Sequence, residues 1–272
     1  MLLDRFRLDE KVALIAGAGR GIGRAIAEGL AEVGAETILV TRTQSEVQAA
    51  AKAAGRFGRC AIPVEADMAD PAARDSVVEM AIDRFNKIDI LVNATAVGWP
   101  GENPREAPAG KEFLSTTPEE WSEVTTTNLD AAAGQIHVVS QQMIHLGGSK
   151  VINITSAPGH HSTEGFSAYG ASKAALEQLT QTLAHALGPH GIHVNCIAMG
   201  RIVTETLAAG EFWTAERRGA VGPQIAIGRM GDEDDVAPLA VFLASDASDY
   251  VNGATIALDG GGYVHSPLEA AP

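Results

Sequence analysis

The chain has 272 residues and a formal net charge of −14, from 20 basic and 34 acidic side chains. This length is sufficient for one large domain with a substantial core, and the negative charge argues against nucleic acid or an anionic membrane as a partner. Its two cysteines, Cys60 and Cys196, show no metal-binding spacing and indicate buried thiols in a reducing compartment. Charges interrupt the first apolar residues and no uncharged apolar run approaches about 18 residues, so we expect a soluble, cytoplasmic protein without a signal peptide or membrane span.

Strand and helix patterns alternate along the whole chain. The strand patterns are Val12–Ala16, Thr37–Thr41, Ala61–Glu65, Ile90–Asn93, Lys150–Ile154, His193–Ile197 and Thr255–Leu258. The helix patterns are Ile22–Val33, Ser45–Ala54, Pro71–Phe85, Pro118–His145, Tyr169–Leu187 and Asp234–Leu243. Such alternation predicts an α/β fold, a doubly wound seven-stranded parallel sheet with helices on both faces, in a single domain over residues 1–272.

Two stretches depart from this alternation, Gly98–Thr117 and Arg201–Gly231. Both are rich in glycine, proline and polar residues, and both follow the carboxyl end of a predicted strand. Ligands of doubly wound sheets bind at that edge, and long loops in compact domains are often lids or binding loops. We therefore predict that substrate loops lie at about residues 98–117 and 201–231.

A glycine-rich turn joins the first strand to the first helix. Its sequence is Gly17-Ala18-Gly19-Arg20-Gly21-Ile22-Gly23, and glycines at such a turn let the backbone approach a pyrophosphate bound at the helix N-terminus. The spacing does not fit the G-x-G-x-x-G form, and no Gly-Lys-Ser/Thr follows, which excludes a P-loop. A dinucleotide site is the preferred interpretation; a strand–helix turn without a ligand is the alternative.

The candidate chemistry lies in Ser156, Tyr169 and Lys173. The run Val151–Ile154 predicts a buried strand, so Ser156 lies at its carboxyl end, and the apolar spacing in Ala174–Leu187 predicts a helix that begins near Tyr169. The i, i+4 spacing of Tyr169 and Lys173 places the phenol and the ammonium on one helical face.

This pair suits proton transfer. A free tyrosine has a pKa of about 10, and a fixed positive charge beside it lowers that pKa. A decrease of roughly three units corresponds to about 4 kcal/mol. Tyr169 would then be a general acid/base, and the Ser156 hydroxyl could hold a carbonyl or alcohol oxygen. An ordinary helix N-terminus with an exposed tyrosine and lysine is the alternative.

With the glycine turn, Asn128, Ser156 and Tyr169-x-x-x-Lys173 in this order, the chain resembles the short-chain dehydrogenase/reductase family, in its branch of soluble oxidoreductases with a Rossmann-type fold. The resemblance extends from Leu8 to Gly262 and includes Asp67 after the third strand, Asn195 to Gly200 near the sixth, and the ending Leu258-Asp259-Gly260-Gly261.

The resemblance implies a role for each catalytic position. Tyr169 would be the acid/base and also contact the cofactor, Lys173 would lower its pKa and bind the nicotinamide ribose, and Ser156 would hold the substrate oxygen. Asn128 would position Lys173 through a water molecule and support a proton relay. Asp67 would contact the adenine. The other implied cofactor contacts are Gly17, Gly19, Arg20, Gly21, Ile22, Gly23, Ala66, Met68, Asn93, Ala94, Thr95, Gly200, Ile202 and Thr204, with Ile202 and Thr204 facing the carboxamide.

Three departures from the family pattern lie on the cofactor side. Ala16 replaces the usual threonine, Asn93-Ala94-Thr95-Ala96 replaces Asn-Asn-Ala-Gly, and Met199 replaces the usual proline before Gly200. Weakened cofactor binding at Ala16, Ala94, Ala96 and Met199 would favour a second interpretation, a binding or regulatory protein that has lost turnover. The intact catalytic positions favour an enzyme.

The end of the second strand indicates which nicotinamide cofactor binds. An acidic residue there would bind the ribose 2′-hydroxyl of NAD, whereas an arginine accommodates the 2′-phosphate of NADP. Here the strand ends in Thr41-Arg42-Thr43, and Arg20 in the glycine turn could be a second cation. We predict NADP(H) over NAD(H); the alternative is that Arg42 is a solvated surface residue.

Aromatic and histidine side chains in the loops suggest a bulky, largely apolar ketone or alcohol, cyclic and steroid- or terpenoid-like. Packing of these side chains against the body or a neighbouring subunit is the alternative. The predicted substrate residues are Trp99, His160, His161, Phe166, Met199, Phe212 and Trp213. The histidines show no H-x-x-x-H spacing with a carboxylate partner, so no metal is expected.

Two further expectations concern partners. A 3-oxoacyl carrier-protein reductase is an alternative function, but a chain of charge −14 offers little basic surface for an acidic carrier protein. The resemblance implies an assembly in which the helices Pro118–His145 and Tyr169–Leu187 pair across two-fold axes, giving a homotetramer or a homodimer.

Overall fold

The structure is a computed structural model that describes residues 1–97, 113–204 and 214–262. The strands are β1 (Val12–Ala16), β2 (Glu36–Thr41), β3 (Ala61–Glu65), β4 (Ile90–Asn93), β5 (Ser149–Ser156), β6 (Ile192–Met199), β7 (Ile202–Val203), β8 (Gly231–Asp232) and β9 (Thr255–Leu258). The α-helices are α1 (Gly21–Glu32), α2 (Gln44–Gly55), α3 (Pro71–Phe85), α4 (Pro118–Thr125), α5 (Ala131–Met143), α6 (Ser167–Leu187), α7 (Ala215–Val221) and α8 (Ala237–Ala244).

Seven strands form one parallel sheet in the order β3-β2-β1-β4-β5-β6-β9. One hydrophobic cluster packs α1, α2 and α8 on one face, and a second packs α3, α5 and α6 on the other. This arrangement confirms the predicted doubly wound, Rossmann-type fold in a single domain. Because the strand order reverses between β1 and β4, a crevice opens at the carboxyl ends of these strands.

The predicted strands agree with the structure, and three of them are longer than predicted: β2 begins one residue earlier, at Glu36, and β5 and β6 are extended at both ends. β5 and β6 pair residue by residue from Ser149 opposite Ile192 to Ser156 opposite Met199, so each strand extends as far as its partner does. Ser156 is therefore the last residue of its strand. The residues added to β5, Ser149, Thr155 and Ser156, are polar and give no strand pattern, and the extent of β6 is set by its pairing with β5.

The long helix predicted over residues 118–145 is interrupted. A π-helical turn, Thr126–Asp130, separates α4 from α5, which ends at Met143. The predicted helix at 234–243 is also divided, since a 3₁₀ turn at Glu233–Asp235 precedes α8. Both segments keep helical periodicity in their sequence, which reveals neither the wider π-helical turn nor the tighter 3₁₀ turn.

The two cysteines differ in burial. Cys196 is fully buried in β6, whereas Cys60, just before β3, is only partly buried, so the expectation of two buried thiols was wrong for Cys60. Cys60 lies near the sheet edge formed by β3, where fewer elements cover it. Across the described ranges, no helix is both long and apolar enough to cross a membrane.

A row of buried polar side chains, called the polar row below, crosses the central strands. Asn93 of β4, Asn153 of β5 and Cys196 of β6 are register partners. Asn93 Nδ2 donates to Asn153 Oδ1 at 2.8 Å, and Asn153 Nδ2 donates to Oγ1 of Thr180 on α6 at 2.8 Å. Thr180 Oγ1 also lies 3.1 Å from Cys196 Sγ. The polar row thus ties α6 to the three strands that end at the site.

We predict that Asn153→Ala lowers the free energy of unfolding by about 2–4 kcal/mol, because it leaves a buried donor on Asn93 and a buried acceptor on Thr180 without their partner and opens a small cavity. Chemical denaturation measures this change. Ser162→Ala, at an exposed loop position, is the control and should change stability by less than about 0.5 kcal/mol. Equal stability of the two variants would contradict a stabilising contribution of the polar row.

Candidate active site

Ser156, Tyr169 and Lys173 come together where β5 meets α6. β5 ends at Ser156, a 3₁₀ turn follows at Ala157–Gly159, and α6 begins at Ser167, so that Tyr169 lies in its first turn. Lys173 Nζ lies 5.6 Å from the centroid of the Tyr169 ring. The structure therefore confirms the strand end, the helix start and the shared helical face on which the catalytic hypothesis depends.

Lys173 is a buried cation. Lys173 is only 2% exposed, and its Nζ donates to the carbonyl oxygen of Ile154 at 2.9 Å. Burial lowers the pKa of Lys173 to about 8, although the Cys196 and Glu177 side chains oppose this shift. An ammonium with this pKa stays mostly protonated near neutral pH while its proton is more readily exchanged than that of a solvated lysine.

The Ser156 hydroxyl has a weak partner. Oγ donates to the carbonyl oxygen of Met199, its register partner on β6, at 3.4 Å. A hydrogen bond of this length is easily exchanged for a shorter one. The serine can therefore turn toward a substrate oxygen at small cost.

Asn128 lies in the π-helical turn and is 1% exposed. Its Oδ1 accepts from the Val97 nitrogen at 2.8 Å, and its Nδ2 donates to the Val97 oxygen at 2.9 Å and to Ser172 Oγ at 3.1 Å. Ser172 Oγ donates in turn to the Tyr169 carbonyl at 2.7 Å. The amide of Asn128 thus joins the segment after β4 to α6, and sequence reasoning had not identified Ser172 or Val97 as its partners. The predicted water contact with Lys173 stays a prediction.

The glycine turn approaches neighbouring backbone closely. Gly17 has φ +83°, and a Cβ there would lie 2.7 Å from the Thr95 nitrogen. A Cβ on Gly23 would lie 2.2 Å from the Gly17 oxygen. Arg20, the residue before α1, does not cap the helix with its side chain. The first N–H groups of a helix have no partner within the helix, and the glycines of this turn carry no side chain that would keep a pyrophosphate away, so these residues fit a dinucleotide.

The departures at Ala16 and Ala94 leave the strand edge regular. The Ala94 nitrogen donates to the Ala16 oxygen at 2.9 Å, so β1 and β4 remain joined through backbone groups at their ends. Ala96 is exposed. After Met199, the Gly200 nitrogen donates to the Leu258 oxygen of β9 at 2.9 Å, which fixes this turn without a proline.

The segment after β6 reaches the glycine turn. Ile202 lies in β7 and Thr204 is 9% exposed. A Cβ on Gly21 would lie 3.5 Å from Thr204 Cγ2. Thr204 therefore lies beside the glycine turn, at the end of the segment that also carries Gly200 and Ile202, and the cofactor contacts of these three residues stay predictions.

The tip of β2 carries charges of both signs. Arg42 is 62% exposed, and its Nη1 lies 4.0 Å from Asp67 Oδ2. Arg20 Nη1 lies 3.5 Å from Oε1 of Glu46, whose carboxylate also borders Gly19. Sequence reasoning had not included Glu46, because its approach to the glycine turn depends on how α2 packs.

The remaining predicted cofactor residues surround this tip. Thr41 is partly buried with Cγ2 facing Gly19, and Thr43 is exposed just before α2. The Ala66 nitrogen donates to the Thr41 oxygen at 3.0 Å, and Met68 is 4% exposed. Asp67 Oδ1 accepts from the Ala69 nitrogen at 2.9 Å. The carboxylate of Asp67 is thereby oriented at the end of β3.

The predicted substrate residues separate into four groups. Phe166 packs against Tyr169, with ring centroids 6.0 Å apart and planes at 70°. Met199 is 4% exposed and packs in a core cluster, so only its carbonyl oxygen reaches Ser156. His160 and His161 follow the 3₁₀ turn and are exposed. The last group, Trp99, Phe212 and Trp213, lies outside the described residues.

In the part of the chain that the structure describes, no group of three or more histidine, cysteine, aspartate or glutamate side chains could hold a metal ion. The fold and site instead define a dinucleotide-dependent oxidoreductase: a parallel sheet with a glycine turn at one strand end and a buried lysine beside a tyrosine at another.

Comparison with known proteins identifies the family within this class. A family model described as enoyl-(acyl carrier protein) reductase matches residues 17–263. Galactitol 2-dehydrogenase from Agrobacterium fabrum is 36% identical, with 95% of this chain and 99% of that protein covered. The chain belongs to the short-chain dehydrogenase/reductase family. It is an oxidoreductase that acts on an alcohol or a ketone with a nicotinamide cofactor.

Two solved structures share the fold and sequence at comparable levels. A gluconate 5-dehydrogenase from Burkholderia cenocepacia, in complex with NADP and tartrate, has a TM-score of 0.86 and 33% identity, covering 98% of this chain and 100% of that one. A 7α-hydroxysteroid dehydrogenase, in complex with NADH and 7-oxo glycochenodeoxycholic acid, has a TM-score of 0.87 and 29% identity, covering 96% and 97%.

We predict that replacing Lys173 changes how stability depends on pH. The folded chain has a Lys173 pKa of about 8, against 10.5 for an ordinary lysine. Between these values the unfolded chain holds the proton and the folded chain releases it, so the penalty for burying the charge is full below about pH 8 and is relieved as pH rises. From about pH 7 to about pH 10, wild type should gain about 2–3 kcal/mol relative to Lys173→Met.

Denaturant unfolding at the two pH values measures this gain. Lys52→Met, at an exposed position on α2, is the matched control because it removes a lysine away from the site. A stability difference between wild type and Lys173→Met that does not change with pH would contradict a buried ammonium.

Proposed function

We propose that the protein transfers a hydride between NADP(H) and a ketone or secondary alcohol, with Tyr169 as the acid/base. The observation that supports this proposal most directly is the buried Lys173 ammonium, one helical turn from Tyr169 at the end of β5. When bound, the nicotinamide supplies or accepts the hydride. Tyr169 gives the carbonyl oxygen its proton during reduction and takes it back during oxidation.

Each neighbouring side chain supports this proton transfer. The positive charge of Lys173 favours the phenolate over the phenol and so lowers the free energy of proton release. Ser156 exchanges its weak bond to Met199 for a hydrogen bond to the substrate oxygen. Asn128 holds the helix start in place through Ser172 and the Tyr169 carbonyl, and we further propose that it supports a proton relay to Lys173.

The preference for NADP(H) is proposed from Arg42 and Arg20. An exposed arginine at the tip of β2 can form paired hydrogen bonds with a 2′-phosphate. The similar gluconate 5-dehydrogenase holds NADP, whereas the similar 7α-hydroxysteroid dehydrogenase holds NADH. The carboxylates of Asp67 and Glu46 lie within reach of these arginines, so the preference depends on which charges prevail once the cofactor binds.

For the substrate we propose a bulky, largely apolar ketone or secondary alcohol, steroid- or terpenoid-like. The Phe166 ring beside Tyr169 supports it, and the similar 7α-hydroxysteroid dehydrogenase holds a steroid. A polyol or sugar acid is the second candidate, because the relatives include galactitol 2-dehydrogenase and gluconate 5-dehydrogenase. A 3-oxoacyl carrier-protein reductase is less favoured by the net charge of −14, and a binding protein without turnover is less favoured by the complete catalytic set.

We further propose that the protein acts in the cytoplasm as a homotetramer, or as a homodimer, assembled through α4, α5 and α6. Exposed apolar side chains at Ile144 and Leu146, just after α5, support an assembly surface near this helix. Light scattering of the purified protein measures the mass, and a monomer at micromolar concentration would contradict the proposal.

We predict that Tyr169→Phe reduces turnover by about 10²–10⁴-fold while leaving NADPH affinity within about twofold, because it removes a proton donor and little else. NADPH fluorescence measures binding, and the absorbance of the nicotinamide measures turnover. The substrates are bulky cyclic ketones in the reductive direction, and galactitol and gluconate in the oxidative direction. Turnover retained in the variant would contradict the acid/base role. Turnover of the polyols alone would favour the second substrate class.

We predict that Arg42→Ala weakens NADPH binding by about 10- to 100-fold, as expected for the loss of charge-assisted hydrogen bonds, and changes NADH binding little. Glu46→Gln should strengthen NADPH binding about threefold, because it removes a carboxylate near the phosphate. Titration of both variants with both cofactors measures these changes. Tighter binding of NADH than of NADPH by wild type would contradict the assignment.

A further inference from the structure

A buried carboxylate that the proposed chemistry does not use lies on the same helix as the catalytic pair. Glu177 is 6% exposed and lies one turn beyond Lys173 on α6. Burial raises the pKa of Glu177, while a hydrogen bond with Thr155 and the charges of His160 and Lys173 oppose the shift. A carboxylate in such a position is costly unless polar partners compensate for the water it has lost.

The partner on the solvent side is His160. Its Nε2 lies 3.2 Å from Oε1 of Glu177, and its side chain is 39% exposed. Among the described residues, Glu177 Oε1 has no hydrogen bond of regular geometry. A small movement of His160 would align its N–H with this oxygen and satisfy both groups.

His160 belongs to the loop that connects Ser156 to the helix of Tyr169, residues 157–166, called the connecting loop below. The beginning of this loop is packed directly on α6: a Cβ on Gly170 would lie 2.7 Å from the Pro158 oxygen, and one on Gly159 would lie 3.1 Å from the Ala174 nitrogen. Beyond His160, residues 161–164 are exposed. His160 therefore marks the point at which the connecting loop leaves the helix surface.

Glu177 lies too far along the helix to touch the reacting atoms. Eight residues separate it from Tyr169, which is roughly 12 Å along the axis. Glu177 contacts His160, and the loop that carries His160 ends at Phe166, beside the Tyr169 ring. Glu177 can therefore affect the substrate side only through this loop. A role for Glu177 in the reaction would thus be one of positioning.

We propose that Glu177 is a positioning residue that anchors the connecting loop through His160 and thereby sets substrate affinity. The contact fixes the loop at the end of its packed part, so the exposed part and Phe166 keep one arrangement over Tyr169. The effect on substrate affinity rests on the proposed function. The anchoring of the loop does not, and it can be measured without turnover.

The first measurement is hydrogen exchange of residues 157–166 in the full-length protein. The anchor predicts that His160→Ala and Glu177→Met, which keeps the length of the side chain and removes its acceptor oxygens, each speed exchange in this segment by at least about fivefold, as expected for the loss of one hydrogen-bonded contact. His160→Gln should exchange near the wild-type rate, because its amide nitrogen can donate to the same carboxylate. Ser162→Ala is the control, because it changes an exposed side chain two positions further along the same loop.

The second measurement is the kinetic effect of the same variants. His160→Ala should raise KM for the ketone about five- to tenfold and leave kcat within about twofold. In the Glu177→Met background, His160→Ala should raise KM by less than about twofold, because the two side chains act through one contact. The effects of Ser162→Ala and Glu177→Met on KM should multiply.

Exchange in His160→Ala no faster than in Ser162→Ala would overturn the anchor, whatever the enzyme's activity. Failure of His160→Gln to restore slow exchange would also overturn it, because a donor alone should suffice. Absence of turnover in wild type with either cofactor would count against the proposed function, and the exchange result would still decide whether the connecting loop is anchored.

Discussion

The burial of one positive charge is the constraint on which the site depends. The Lys173 ammonium sits under the end of the central sheet, where water cannot solvate it, and the Ile154 carbonyl receives its hydrogen bond. A charge in that place is tolerable only beside other polar groups. Glu177 and the Thr180–Cys196 pair provide them on the same side of α6 and on β6. The chemistry near Tyr169 and the polar interior behind it are therefore parts of one electrostatic arrangement. Burial of the Lys173 ammonium lowers the stability of the folded protein and places an exchangeable proton beside Tyr169.

The sequence predicted those features that depend on neighbours close in the chain. A glycine turn between a strand and a helix, a serine at a strand end, and a tyrosine and lysine at i, i+4 follow from local spacing, and the structure has each of them. Contacts between distant segments were not predicted. Ser172 as a partner of Asn128, Glu46 beside Gly19 and Glu177 beside His160 depend on how helices pack on the sheet, and a polar residue on a helix has no pattern that distinguishes a buried contact from a solvated one.

The strand ends at which the cofactor is expected to bind show why departures from a family pattern need not alter the geometry of the backbone. Ala16 and Ala94 meet through their backbone groups, and Gly200 is held by the backbone of Leu258. Side chains that differ from the usual residues therefore leave the hydrogen bonds of the edge in place. Their effect on affinity would come through direct contact with the cofactor, at the crevice where the strand order reverses.

The polar row has a consequence for how the sheet assembles. β4, β5 and β6 come from distant parts of the chain and present mostly aliphatic side chains, which pack nearly as well after a slip along the strand. The two amides and the thiol match only in one alignment, with Asn93 opposite Asn153 and Asn153 opposite Cys196. A slipped strand would set an amide against hydrocarbon and lose its hydrogen bonds. The row thus discriminates against misaligned pairings while the chain folds, and it does so at the strands whose ends must meet to form the site.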